Sequence, residues 1–121
     1  MMAAWLAMSA WQPVGEGARL YRQCQACHAL ERGANTPAGP TLFGVVGRSI
    51  AAERGFNYSP ALRRFAARER QWTPDRLDHF LADPEAVVPG TEMSFDGIAD
   101  PSQRRAIINW LAAKPGRSGR R

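Results

Sequence analysis

An all-α fold of about four helices with long loops is predicted for this chain of 121 residues, and three observations predict it. Ser59-Pro60, Thr73-Pro74 and Asp100-Pro101 each set a capping side chain before a proline, which suits the first helical position. Apolar residues then recur at helical spacing: Leu77, Phe80 and Leu81 after Thr73, and Ile107, Ile108, Trp110 and Leu111 after Asp100. No run reads as a strand, and no internal repeat is visible.

The elements follow in order. A first helix is expected over Glu16–Ala29, with Leu20, Cys24 and Cys27 along one side at i, i+4 and i+7. Glycine and proline then recur at Gly33, Pro37, Gly39, Pro40, Gly44 and Gly47, which marks a loop. A basic helix opens at Ser59-Pro60 and runs to about Arg70. The next opens at Thr73-Pro74-Asp75 and stops before Pro84. Asp83 to Asp100 reads as loop around Pro89-Gly90, and the last helix closes at Pro115-Gly116. The ends fall outside this plan. Residues 1–14 (MMAAWLAMSAWQPV) carry no charge, and the apolar stretch Ala3–Ala10 is too short to cross a bilayer. They read as a signal-peptide remnant or flexible apolar leader, with Ala7-Met8-Ser9 as a small-x-small cleavage site but no basic n-region. One domain is expected over 15–115, with a basic, disordered tail over 116–121.

Composition narrows the function. The net charge is +5, from 16 basic and 11 acidic residues, and all the basic residues but Lys114 are arginine. The charges are scattered and no nucleic-acid motif accompanies them, so no nucleic-acid partner is expected. With nine prolines and eleven glycines, a domain this small needs something beyond its own core to hold it together. A large buried apolar cofactor meets that need.

The two cysteines supply the clue. Cys24-Gln25-Ala26-Cys27-His28 is C-x-x-C-H, the pattern of covalent c-type haem attachment. One helical turn between the thiols lets both reach the vinyl groups along one porphyrin edge, and the adjacent histidine points at the iron. A thioredoxin-like pair wants a βαβ context, which is absent, and a zinc site wants two further ligands where His79 is the one spare histidine. Elimination then gives the second axial ligand. Outside the leader the chain holds Met93, His79 and Lys114. His79 precedes the apolar Phe80 and should face solvent, and Lys114 ends the last helix, so Met93 in the loop Pro89–Phe95 is the natural partner of His28.

Together these residues resemble the class I cytochromes c of the soluble mitochondrial and bacterial type, from about Gly17 to Lys114. The resemblance rests on Gly17–Tyr21 before the haem motif, the loop Gly39-Pro40-Thr41-Leu42-Phe43-Gly44-Val45-Val46-Gly47-Arg48, the run Gly55–Ser59, Trp72, Pro89–Phe95 and Ile108–Leu111. It implies the cytochrome c fold wrapped around one covalently bound haem c, with Cys24 and Cys27 attached and His28 and Met93 as iron ligands. The Pro40 carbonyl would accept the His28 Nδ1–H, while Arg48, Tyr58 and Trp72 would neutralise or hydrogen-bond a buried haem propionate. Gly17 and Tyr21 would pack against Trp110 and Leu111. The implied function is one-electron carriage, without catalysis or a small-molecule substrate, by a monomer in the bacterial periplasm, membrane-associated if the leader is retained. Its partners would be membrane-bound or periplasmic proteins of a respiratory or photosynthetic chain. Two alternatives stay open: a haem enzyme or gas- or peroxide-binding sensor with a labile sixth ligand, and the cytochrome subunit of a larger dehydrogenase or oxidase.

The departures from the family pattern are specific. Phe80 stands where a tyrosine hydroxyl usually reaches the methionine sulfur, and Leu62 replaces an asparagine beside the haem. Leu62–Trp72 is about three residues longer than the family's short form. Where mitochondrial relatives ring the haem edge with lysines, this chain has Gln23, Glu85, Ala86, Glu92, Ala99 and Asp100.

Overall fold

Four of the five helices begin in the same way. In the computed structural model, which describes residues 15–114, α1 covers 15–21, α2 Pro60–Glu69, α3 Pro74–Ala82, α4 Pro84–Val87 and α5 Pro101–Ala112. Each of α2 to α5 carries proline in its first turn, behind a cap whose side-chain oxygen accepts a backbone N–H. Ser59 takes that of Leu62, Thr73 that of Arg76, Asp83 that of Ala86 and Asp100 that of Ser102. Proline has no N–H to leave unpaired there, so both residues act on the same end effect. Among the described residues there is no strand, only the isolated bridges Thr36 to Gly39 and Ser49 to Gln71.

Two expectations need correction. The first helix does not continue to Ala29. It ends at Tyr21 and passes into consecutive turns through Cys27, in which Arg22, Gln23 and Cys24 donate to carbonyls three residues back. Such tighter turns are the ordinary way a short helix closes. Nor is Asp83–Asp100 loop throughout, because Asp83-Pro84 starts α4. The same cap-and-proline signal stood there, masked by Pro84 also being a stop for α3. The calls on residues 1–14 and on the tail 116–121 lie outside the described residues.

Packing gathers these elements on one core. Leu20, Tyr21, Val45, Val46, Ile50, Phe65, Trp72, Leu77, Phe80, Val88, Ile98, Ile107, Ile108 and Leu111 are its larger buried members. α3 packs on both α4 and α5. Arg104 ties α5 to α3 by donating to Asp78 at 2.7 Å, and to the preceding loop through the carbonyls of Ile98 and Ala99 at 2.8 and 3.0 Å. α1 meets α5 at Gly17, where an added Cβ would lie 2.8 Å from the Cγ of Trp110 and 2.9 Å from the Ala106 carbonyl oxygen. Beside it the rings of Tyr21 and Trp110 sit 5.2 Å apart. The backbones approach so closely that only hydrogen fits.

Gly17→Val should therefore destabilise the protein by about 1–3 kcal/mol through overpacking of the α1–α5 crossing. Guanidinium unfolding followed by circular dichroism measures this, and an unshifted midpoint would show that the crossing can open at no cost.

Candidate haem site

The tight turns after α1 hold the C-x-x-C-H segment. Cys27 and His28 both donate their N–H groups to the Cys24 carbonyl, at 3.0 and 2.9 Å, so one turn separates the thiols. Both cysteines are free thiols, Cys24 half-buried against the core and Cys27 exposed. Burial, and then the neighbouring Cys27, push the Cys24 thiol up from its ordinary value. Two hydroxyls fasten the segment's main chain: Tyr21 donates to the His28 carbonyl at 2.5 Å, and Thr36 to the Cys27 carbonyl at 2.7 Å.

The imidazole of His28 is oriented from the following loop. Its Nδ1 lies 2.7 Å from the Pro40 carbonyl oxygen. A carbonyl can only accept, so Nδ1 carries the hydrogen and Nε2 keeps its lone pair. Burial lowers the His28 pKa; the Pro40 bond opposes that and the nearby Arg48 charge adds to it. The ring is thus neutral at neutral pH. The approach depends on Gly39, where a Cβ would stand 2.6 Å from His28 Cε1 and 2.8 Å from the Cys27 carbonyl oxygen.

A second group forms around Arg48. The backbone of Trp72 pairs with this strand-like stretch, Trp72 donating to Arg48 at 2.8 Å and Gly47 to Trp72 at 2.7 Å. Arg48 Nη1 donates to the carbonyls of Thr41 and Phe43 at 2.8 and 2.9 Å and lies 3.6 Å from Glu53 Oε1. Its Nε is buried and has no hydrogen-bond partner among the described residues. The Tyr58 hydroxyl oxygen accepts the Glu53 N–H at 3.1 Å, which leaves its own hydrogen to give. Burial lowers the Arg48 pKa, with Tyr58 and Glu53 opposing, and raises that of Tyr58. Trp72 is buried between Phe65 and Phe80, with ring centroids 5.8 and 5.1 Å away.

The remaining candidates separate cleanly. Met93 is half-buried and packs on the core from its loop, its N–H held by Thr91 Oγ1 at 3.2 Å. Phe80 is buried and Leu62 half-buried, both apolar where the family pattern has polar groups. His79 is exposed on α3 and hydrogen-bonds the Asp75 carbonyl at 2.9 Å. Lys114 lies over the Trp110 ring, 4.1 Å from its centroid. Among the described residues no cluster of three His, Cys, Asp or Glu side chains is placed to hold a metal alone.

Sequence reasoning passed over Thr36, Thr41 and Glu53. Thr41 is wholly buried; its hydroxyl bonds the Glu31 carbonyl at 2.6 Å, and its own carbonyl accepts Arg48. Its place inside the Gly39–Arg48 motif was the available signal. Glu53 had none, because its role depends on which face its loop presents.

These residues fit a haem. The donor set combines two thiols one turn apart with a neutral imidazole whose Nε2 is free. An orphaned guanidinium Nε–H and an unspent phenol hydrogen suit a carboxylate such as a propionate. No family model matches the chain. It is 35% identical over 98 residues to cytochrome c2 of Agrobacterium tumefaciens, a match covering 81% of this chain and 88% of that protein. It is also 43% identical over 94 residues to the cytochrome c-type cyt cy of Rhodobacter capsulatus, covering 78% of this chain and 45% of that longer relative. The solved structure of cytochrome cH from Methylobacterium extorquens superposes with a TM-score of 0.75 at 38% identity, covering 84% of this chain and 98% of that one. The chain belongs to the class I cytochromes c, monohaem electron carriers with one covalently attached haem c.

Proposed function

We propose that the protein carries single electrons by outer-sphere transfer between membrane-bound or periplasmic partners of a respiratory or photosynthetic chain, and does no catalysis of its own. It would work in the bacterial periplasm, where such haem attachment takes place. The observation that carries this reading is the disposition of the ligand candidates. His28 presents a neutral imidazole, Met93 is tucked against the core, and His79 and Lys114 are engaged elsewhere.

In this reading Cys24 and Cys27 would hold the haem as thioethers, and His28 Nε2 and the Met93 sulfur would bind its iron. When bound, the haem supplies the one-electron couple of its iron. The Pro40 carbonyl holds the His28 ring and raises its basicity. The Met93 thioether favours the reduced state and with it a positive potential. With His28 and Met93 both bound to it, the iron would offer a substrate no place. Arg48, Tyr58 and Trp72 would neutralise or hydrogen-bond a propionate, and Phe80 and Leu62 would keep their sides of the pocket free of polar groups.

The surface charge implies how partners meet it. Gln23, Glu85, Ala86, Glu92, Ala99 and Asp100, at the positions of the family's lysine ring, are all exposed. The exposed arginines Arg63, Arg64, Arg68 and Arg70 lie on or beside α2 instead. Partners then dock without a basic haem-edge face.

Three outcomes are expected. The oxidised holoprotein should give a low-spin spectrum with the methionine-sulfur to ferric-iron band in the near red, lost in Met93→Ala; a high-spin spectrum without the band would point to an open iron and to peroxide or gas binding. Gly39→Ala should push the His28 ring off the Pro40 carbonyl and cost about 1–3 kcal/mol of holoprotein stability, read by denaturant titration at the haem band. In stopped flow with an acidic redox partner, the association rate should fall only weakly with salt. A steep fall, abolished by neutralising haem-edge residues, would contradict that docking mode.

A further inference from the structure

Glu53 is the charged neighbour of Arg48 that neither the haem motif nor the family pattern explains. The two side chains are equally buried, each 17% exposed, so water screens their charges poorly. At 3.6 Å their contact is an ion pair rather than a hydrogen bond, since Arg48 Nη1 already serves the Thr41 and Phe43 carbonyls. The Glu53 main chain acts on the other donor: its N–H occupies the Tyr58 oxygen, so the phenol hydrogen turns elsewhere. One residue thus touches both Arg48 and Tyr58. Arg48 keeps a buried Nε–H with no hydrogen-bond partner among the described residues, and Tyr58 keeps its hydroxyl hydrogen. A hollow lined by Arg32, Phe43, Arg48, Glu53 and Arg54 keeps the outer side of this pair open.

We propose that Glu53 is a positioning residue for the haem propionate, orienting Arg48 and Tyr58 toward it and holding down the reduction potential through its own charge. The inference rests on the reading that Arg48 and Tyr58 face a propionate. The charge count gives the sign. Against the propionate, Arg48 supplies one positive charge and Glu53 takes one away at the same half-buried place, with Arg32 and Arg54 on the open side of the hollow. Negative charge near the iron favours the oxidised state and lowers the potential. Glu53 therefore gives up part of the compensation that Arg48 offers and in exchange fixes where the two donors point.

The test is redox titration of the holoprotein at neutral pH. Glu53→Gln should raise the midpoint potential, shifting the ferrous-to-ferric ratio at a fixed solution potential by on the order of threefold. Glu53→Ala should shift it the same way, and Glu53→Asp, which keeps the charge, should return it toward the parent value. The shift should persist in high salt, as expected of a half-buried charge. An unchanged potential in both neutral variants, or an equal shift in Glu53→Asp, would overturn the proposal. Arg48→Leu separates the two layers of the argument. It should lower the potential; if it does while the neutral Glu53 variants do nothing, the role of Glu53 alone fails. If Arg48→Leu also leaves the potential unmoved, the propionate reading itself fails.

Discussion

The bond from His28 Nδ1 to the Pro40 carbonyl is the constraint on which the rest of the site depends. It joins the turn after α1 to a loop that has almost no regular structure to hold it. An imidazole left to rotate would offer either nitrogen to a metal, and a protonated one would offer neither. The bond settles the tautomer, and burial keeps the ring neutral against the pull of the same hydrogen bond. Its geometry admits no side chain at position 39, so Gly39 follows from the bond rather than from any turn. Thr36 and Tyr21 make sense in the same light. By fastening the carbonyls of Cys27 and His28, they keep the short helical turn from unwinding as the ring is drawn toward Pro40.

From Pro40 the loop runs directly into the electrostatic half of the site. The carbonyls of Thr41 and Phe43 take one end of the Arg48 guanidinium, and the Trp72 backbone pairs with Arg48 from the far side. The wholly buried Thr41 hydroxyl ties the loop back to Glu31. A loop rich in glycine and proline is therefore held twice over, by these polar bonds and by Val45 and Val46, which it buries in the core with Leu42 packed against it. Both kinds of anchor are needed in a domain of this size, whose core must leave room for a large apolar ring.

Much of this was legible in the sequence because its signals are local. Ser59-Pro60, Thr73-Pro74 and Asp100-Pro101 started helices where expected, since cap and proline act on the same few backbone groups. The family resemblance assigned Pro40 to His28, Gly17 to Trp110 and Arg48 to an anion, and the geometry around each is consistent with that assignment. What escaped depends on competition or on how a loop turns. α4 was hidden because Pro84 serves both as stop and as start. The first helix was drawn too long because the spacing of Leu20, Cys24 and Cys27 fits a tight turn as well as a helix. Glu53 carried no signal although its partners Arg48 and Tyr58 are five residues away on either side, because composition does not say which way a loop turns its side chains.

Charge placement argues for a division of labour over the surface. Arg104, the most buried arginine among the ion pairs, is consumed in holding α5 to α3 and to its preceding loop. Arg76 is engaged with Glu69 and the Gln71 carbonyl at the far end of α2, and Arg32 lies over the Phe43 ring. These contacts fix where the guanidinium groups sit and, because each ion pair cancels one charge of either sign, leave the net charge of +5 as it stands. The exposed arginines Arg64 and Arg68 of α2 line a hollow with Val87, Val88 and Pro89, next to Glu85 and Ala86 of the positions that replace the lysine ring. Basic and acidic side chains thus adjoin where α2 faces the end of α4, so the field there is mixed in sign rather than a single positive face.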